Sequence, residues 1–371
     1  MATELLRLRC RGHRDIRATH AKTLEFSADD AITGRATCVI GVDTAVVGAP
    51  PVGLAGWLRI TVTAGGVSAT VRALANSRWR PGGSGVVRRS GLRLPNTLAT
   101  DADLAAADLP RELVAAMADP DAAVEVLITR DDRDEDRLIR YRAGQDHDDR
   151  LAAECAAADV VLAEDSAARA IATAHGAVLG SREDLTGRVL TVSTVDGTSS
   201  AVRALLATRP AVEALNLPSE LAVAAAAPHA APLLIATGLP RKDVQRLATT
   251  HAASRVVFDC PAGELPRRLS ELARAVGTSS ASVLRVGDER PVWGPLTDIA
   301  ETVSSGDVLC ALDPVQSSAD SSAPEVAPSA LLSALLAQEV SATTLVRALA
   351  EQPGWSRKQA YDFVLGLSRK G

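Results

Sequence analysis

The sequence predicts a β-rich α+β domain, then an α/β domain, then a small helical module. Three observations predict it. Before residue 130, short apolar runs alternate with polar positions at the period of a strand. From Leu151 onward, short apolar runs alternate with stretches of helical spacing, the sign of a parallel sheet. Beyond a segment rich in Ser, Pro and Asp, only helical spacing is left.

In the first region, Leu5 to Cys10, Thr23 to Phe26 and Thr37 to Val42 read as strands. Trp57 to Thr63 and Val67 to Leu74 flank Gly65-Gly66 and read as a hairpin, since two glycines supply the positive φ of a tight turn. Val86 to Arg89 is a shorter strand. Leu109-Pro110 opens a helix that runs to Met117, before Asp119-Pro120. Val124 to Ile128 closes the region. Charge runs at Asp131 to Arg137 and Gln145 to Arg150 predict a charged linker over 131–150, with a short strand over Arg137 to Tyr141 between them. The domain boundaries expected are therefore 1–130, 131–150 and 151–315.

The second domain opens with a helix over Leu151 to Ala158 and strands at Val160 to Ala163 and Val189 to Val192. Helices follow over Ala167 to His175, Ala201 to Ala207 and Ser219 to Ala227. Leu233 to Ala236 is an apolar run stopped by Gly238, Pro240, Arg241 and Lys242, which suits a buried parallel strand with an anion beyond its carboxyl end. Helix over Arg241 to Thr250, strand over Val256 to Asp259, helix over Leu265 to Val276, and strands over Ser282 to Val286 and Val308 to Leu312 complete it. Residues 316–329 predict a flexible linker. The tail, 330–371, predicts helices over Leu331 to Gln338, Thr343 to Glu351 and Arg357 to Leu367, with Ser341 and Ser356 as caps.

Composition narrows the function classes. At 371 residues and 47% hydrophobic, the chain has room for two or three domains with real cores, built from Ala, Val, Leu and Ile because aromatics are 2%. A net charge of −5 argues against a surface that coats nucleic acid everywhere, while leaving room for a local basic face. The five cysteines form no C-x-x-C pair and read as reduced thiols of a cytoplasmic protein. No signal peptide is expected, and the most apolar window, Leu221 to Gly238, is broken by Pro228 and Pro232, so no membrane association is expected.

Several clusters can carry chemistry. His13, Arg14, Arg17 and His20 suit a phosphate or carboxylate, or a solvated face. His13, His20 and Cys38 lack the short spacing of a metal site, and no metal is expected. Glu164-Asp165 ends a strand, and Gly197-Thr198-Ser199-Ser200 precedes a helix, where an anion or an ordinary cap fits equally well. Arg241-Lys242 and the Arg357, Lys358, Arg369, Lys370 group suit RNA phosphate or plain solvation.

In their order, several stretches of residues 150–371 resemble the bacterial 16S rRNA (cytidine 2′-O) methyltransferases of the tetrapyrrole-methylase fold. The segments are Ala158 to Asp165, Asp196 to Thr198, Asn216 to Leu221, Thr237 to Lys242, Val257 to Pro261, Gly306 to Val308 and Gly354 to Tyr361. The resemblance implies an S-adenosylmethionine-dependent ribose methyltransferase. Glu164, Asp165, Asp196, Gly197, Thr198, Pro218 and Ser219 would hold the cofactor. Arg241, Lys242, Arg357 and Lys358 would meet RNA or a ribosomal subunit. Proteins of this fold often form homodimers. The chain departs from the family in lacking its first glycine loop and in carrying Ser199 where the family has proline. An incomplete fold with eroded cofactor loops is therefore expected, and a non-catalytic RNA-binding or ribosome-binding scaffold is the alternative. Residues 1–130 resemble a domain of unknown function known mainly from archaeal proteins (DUF371). That resemblance is carried by Gly12 to His20, Thr23 to Phe26, Cys38 to Val42 and Asp108 to Leu113 and implies no mechanism; the candidate site of the region, His13, Arg17 and His20, rests on its residues alone.

Overall fold

Alternation in the first region builds a closed barrel. In a computed structural model, which describes residues 4–131, 136–144, 149–180, 185–209, 211–315, 340–350 and 356–368, its eight strands are β1 (Glu4–Arg11), β2 (Thr23–Phe26), β3 (Val39–Val46), β4 (Trp57–Ala64), β5 (Val67–Ala75), β6 (Gly85–Arg88), β7 (Thr97–Thr100) and β8 (Ala123–Arg130). They close in the order β1-β3-β2-β6-β7-β5-β4-β8. The pairs β2/β3 and β6/β7 are parallel and the others antiparallel. Period two puts Leu6, Leu8 and Cys10 of β1 and Leu58, Ile60 and Val62 of β4 inside. The helix α1 (Arg111–Met117) sends Leu113, Val114 and Met117 into the same core. The Gly65-Gly66 turn has φ of +55° and +80°. The strand β7 is absent from the sequence reading, because Thr97 to Thr100 is short and carries no alternation.

The α/β region begins earlier than expected. The stretch assigned to a charged linker contains β9 (Arg137–Arg142), which lies inside a four-stranded parallel sheet with β10 (Val160–Ala163), β11 (Arg188–Ser193) and β12 (Ala211–Leu215). The order is β10-β11-β9-β12, so β9 is flanked on both sides. Its Leu138, Ile139 and Tyr141 are buried, which outweighs the charged flanks that suggested a linker. Helices α2 (Asp149–Ala157) and α3 (Ser166–Ala174) cover one face and α4 (Ser200–Leu206) the other.

A five-stranded mixed sheet follows, in the order β13-β14-β17-β15-β16. Its strands are β13 (Leu233–Ile235), β14 (Arg255–Pro261), β15 (Ser280–Arg285), β16 (Val292–Pro295) and β17 (Asp307–Leu312). One face packs on α6 (Arg241–Thr250), α7 (Leu265–Val276) and α8 (Leu296–Thr302), around Phe258 and Leu269. The other packs on α5 (Ser219–Ala224), through Val223, Val257 and Leu309. The run at Leu233 is a correction. It pairs only with β14, at the sheet edge, and Ile235 is 55% exposed, so it is not a buried strand.

Barrel and α/β body fall within one compact unit, Met1–Val315. Gly53 and Gly56 let α2 come close: a Cβ on either would lie 3.2 Å from Ala153 or 3.5 Å from Ala157. Arg130 donates to the carbonyls of Ala156 and Ala157 at the end of α2.

The second unit is Gln316–Gly371. Its described helices are α9 (Ala342–Ala350) and α10 (Arg357–Ser368), joined by contact between Leu345 and Val364. Ser341 and Ser356 cap them as expected: the hydroxyls accept from the N–H of Thr344 at 3.2 Å and of Gln359 at 3.3 Å. The expected linker at 316–329 and the helix over Leu331 to Gln338 lie outside the described residues.

Candidate functional site

The carboxyl ends of a doubly covered parallel sheet are where ligands are met. Those of β10, β11 and β12 carry Glu164, Asp165, Asp196, Gly197, Thr198, Pro218 and Ser219. The fold thus gathers at one rim the residues the resemblance assigned to a cofactor. Asp165 caps α3: its carboxylate accepts from Ala168 N–H at 2.8 Å, and from the N–H and hydroxyl of Thr194 at 2.9 and 3.0 Å. Desolvation works against its charge, but these donors outweigh it and hold the carboxyl below its ordinary value. Glu164 accepts from Ser199 N–H at 3.1 Å, Asp196 pairs with Arg142, and Gly197 accepts at its carbonyl from Arg140 at 3.3 Å. Asn216 takes a φ of +61° and donates to the Arg142 carbonyl at 2.8 Å. Pro218 and Ser219 start α5.

These groups satisfy one another and leave little space. The cavity among Arg140, Arg142, Glu164, Ser193, Val195 and Leu217 has a volume of about 10 Å³. That is room for one water at most, whereas sites for drug-sized ligands span about 300–1,000 Å³. Among the described residues, this rim offers no cavity of the size S-adenosylmethionine needs, and Arg140 and Arg142 line the space there is.

Arg140 is the anomaly of this rim. It is 3% exposed, and its hydrogen bonds go to the carbonyls of Ala225 and Gly197 and to no carboxylate. Its Nε has no hydrogen-bond partner. Desolvation lowers its pKa, and Glu164 only partly offsets this. An unpaired buried guanidinium costs stability. Arg140→Met, which keeps the apolar stem, is therefore expected to leave the protein as stable as before or more so, by up to about 2 kcal/mol. Urea denaturation checks this; a loss larger than about 1 kcal/mol would mean the two carbonyl contacts outweigh the burial cost.

A second constellation lies where the barrel meets the α/β body. Glu213, alone among apolar neighbours on β12, is 1% exposed and pairs with Arg93 at 2.8 Å and Arg137 at 3.1 Å. Arg188 lies at 4.0 Å from Glu213 and pairs with Glu154 at 2.5 Å. Arg93 reaches from the β6–β7 loop of the barrel and binds Glu289 at 2.9 Å with its other terminal nitrogen. Glu289 also takes Arg150 at 2.5 Å and Arg78 at 2.9 Å. Arg290 pairs with Asp101 of the barrel at 2.5 Å. Desolvation opposes ionisation of Glu213 and Glu289. Their arginines outweigh it and hold both carboxyls below the ordinary range. The sequence reading missed this network, since its members are far apart in the chain. One signal was present: a single carboxylate inside the apolar run Ala211 to Leu215.

In the barrel cluster, Asp15 lies against His13 at 4.0 Å and Arg17 at 3.6 Å, while His20 is held in its own loop. His13 Nδ1 accepts from Asp15 N–H at 3.1 Å, and His20 Nδ1 from Thr23 N–H at 3.1 Å, so each ring fastens its own loop. Cys38 is bonded to Glu25 at 3.3 Å, and burial pushes its thiol up to about 11. Arg241 pairs with Glu271, while Lys242 is exposed at the start of α6. Among the described residues, no helix is long and apolar enough to cross a membrane.

The fold therefore defines a closed eight-stranded barrel joined by buried charge to a two-sheet α/β body. Within the barrel, residues 8–50 match the family model of a domain of unknown function (DUF371). The match runs from β1 through β2 to the end of β3, and so includes His13, Arg17 and His20. No match to the chain is found among curated proteins.

Proposed function

We propose that this protein is a non-catalytic RNA-binding or ribosome-binding protein. Its helical unit makes the contact, and the α/β body is a degenerate methyltransferase-like fold kept as a scaffold. One observation carries the reading. Arg347 of α9 and Arg357 and Lys358 of α10 line a single groove of about 1,000 Å³, with Tyr361 in its wall. Tyr361 is 55% exposed, so its ring is free to stack on an unpaired base. The two helices carry three cations against one carboxylate, Asp362, in a chain whose net charge is −5.

Fluorescence anisotropy with a single-stranded RNA across a salt series tests it. Replacing Arg347, Arg357 and Lys358 together by Ala is expected to lower the slope of log affinity against log salt by about 2. Tyr361→Ala is expected to weaken binding at every salt concentration by roughly 1–3 kcal/mol without changing the slope. A flat, weak response from the unaltered chain would sink the proposal.

A second reading, ribose methylation with S-adenosylmethionine, is favoured by the gathering of Glu164, Asp165, Asp196 and Thr198 at one sheet rim. The small cavity there weighs against it. Calorimetric titration with the cofactor separates the two, because saturable heat would restore the enzyme reading.

A further inference from the structure

We infer that a cleft at the opposite, amino end of the parallel sheet is a binding site for a phosphate monoester of mononucleotide size. This site goes beyond the RNA contact and shares no residue with it. Its volume is about 380 Å³, inside the range of about 300–1,000 Å³ that small-molecule sites occupy. It opens between the start of β9 and β12 on one side and β15, β16 and the loop after α8 on the other.

The polar lining is cationic. Arg137, Arg285 and Arg290 face it, against the single carboxylate of Asp288. Asp288 is already engaged, since its Oδ1 accepts from Glu289 N–H at 2.7 Å and from the backbone and side chain of Arg290. Arg137 is committed to Glu213 and Arg290 to Asp101. Arg285 differs. It is half-buried at the end of β15, and among the described residues its guanidinium meets no carboxylate and makes no hydrogen bond. It lies over Gly306, where an added Cβ would be 3.4 Å from Nε. That residue has φ of +88°, so glycine both permits the turn and keeps the guanidinium's ground clear.

Two hydroxyls, Ser304 and Ser305, line the cleft beside this arginine and are exposed. A planar guanidinium with hydroxyl donors next to it is the chemistry that holds a phosphate dianion, by two parallel N–H···O bonds plus O–H···O bonds. The remaining wall is mostly apolar, with Val283, Pro291 and Val303 beside Thr302. Such a wall suits a flat organic body attached to the phosphate better than an inorganic ion.

The experiment uses the full chain, with AMP as the phosphate monoester and adenosine and inorganic phosphate as comparators. Thermal shift and calorimetry are expected to show saturable binding of AMP, weaker binding of phosphate and none of adenosine. Arg285→Met keeps the aliphatic stem and is expected to lose roughly tenfold to hundredfold in AMP affinity, with the ligand-free melting temperature unchanged. Should that variant fail to fold, the exposed Ser304→Ala/Ser305→Ala pair is expected to weaken AMP severalfold. Undiminished AMP binding by Arg285→Met overturns the proposal, as does equal affinity for phosphate and AMP, or no saturable binding at millimolar AMP.

Discussion

Glu213→Gln is expected to destabilise the Met1–Val315 unit by about 3–5 kcal/mol at pH 7, although the side chain keeps its shape. The carboxylate is the shared partner of Arg93 and Arg137, with Arg188 at 4.0 Å. Removing one member of a buried charge network leaves the others unpaired in low dielectric, which costs about that much. The sign with pH follows from the same contacts. The folded pKa values of Glu213 and Glu289 lie below the ordinary glutamate value of 4.5. Their contribution is therefore whole above that value and is lost as pH falls through the folded values. The unaltered protein should weaken steadily on acidification below about pH 5, and Glu213→Gln should weaken less steeply. Denaturant titrations at pH 7, 5 and 4 check both statements. A loss under about 1 kcal/mol at pH 7 would show that the arginines re-solvate without cost. Added salt should change little, because these charges are out of water.

The second large effect is expected at Gly12. A Cβ there would sit 2.0 Å from the carbonyl oxygen of Asp119 and 2.7 Å from that of Met117. Both oxygens belong to backbone just beyond or at the end of α1, so neither can rotate away. Gly12 also donates to Ala122 at 2.9 Å, which fixes its distance from that turn. Gly12→Ala should therefore lower stability by about 3 kcal/mol, at the upper end of ordinary overpacking. Gly34→Ala is the control, because nothing lies within 4 Å of its added Cβ. Thermal melts of the two variants check this, and similar melting temperatures would refute it.

Much of the fold is legible in the sequence because period and burial coincide. The Trp57 to Leu74 hairpin alternates, one face goes inside, and two glycines turn it. Thr97 to Thr100 and Ala211 to Leu215 are strands of four and five residues with no alternation of their own; partners on both sides create the first, and pairing with β9 creates the second at the sheet edge. Barrel closure is illegible for a related reason, because it depends on β1 meeting β8, more than a hundred residues away. That Glu164, Asp165 and Asp196 share one sheet rim is legible, since each follows its strand directly in the chain. That Arg140 and Arg142 fill the space beside them could not be read from spacing, because it depends on where β9 lies. The Arg285 cleft was likewise hidden, being assembled from five separate segments.

The placement of β9 also sets an order of events during synthesis. The strand is flanked by β11 and β12, which leave the ribosome up to 73 residues later than Arg142. At about 5–20 residues per second, that interval is roughly 4–15 s. The barrel, complete once β8 has emerged, can close first and provide a docked platform of Arg93 and Asp101. The nascent β9 then waits beside it with both hydrogen-bonding edges unpaired. The α/β body is accordingly the part of the Met1–Val315 unit that closes late, once Leu215 has emerged.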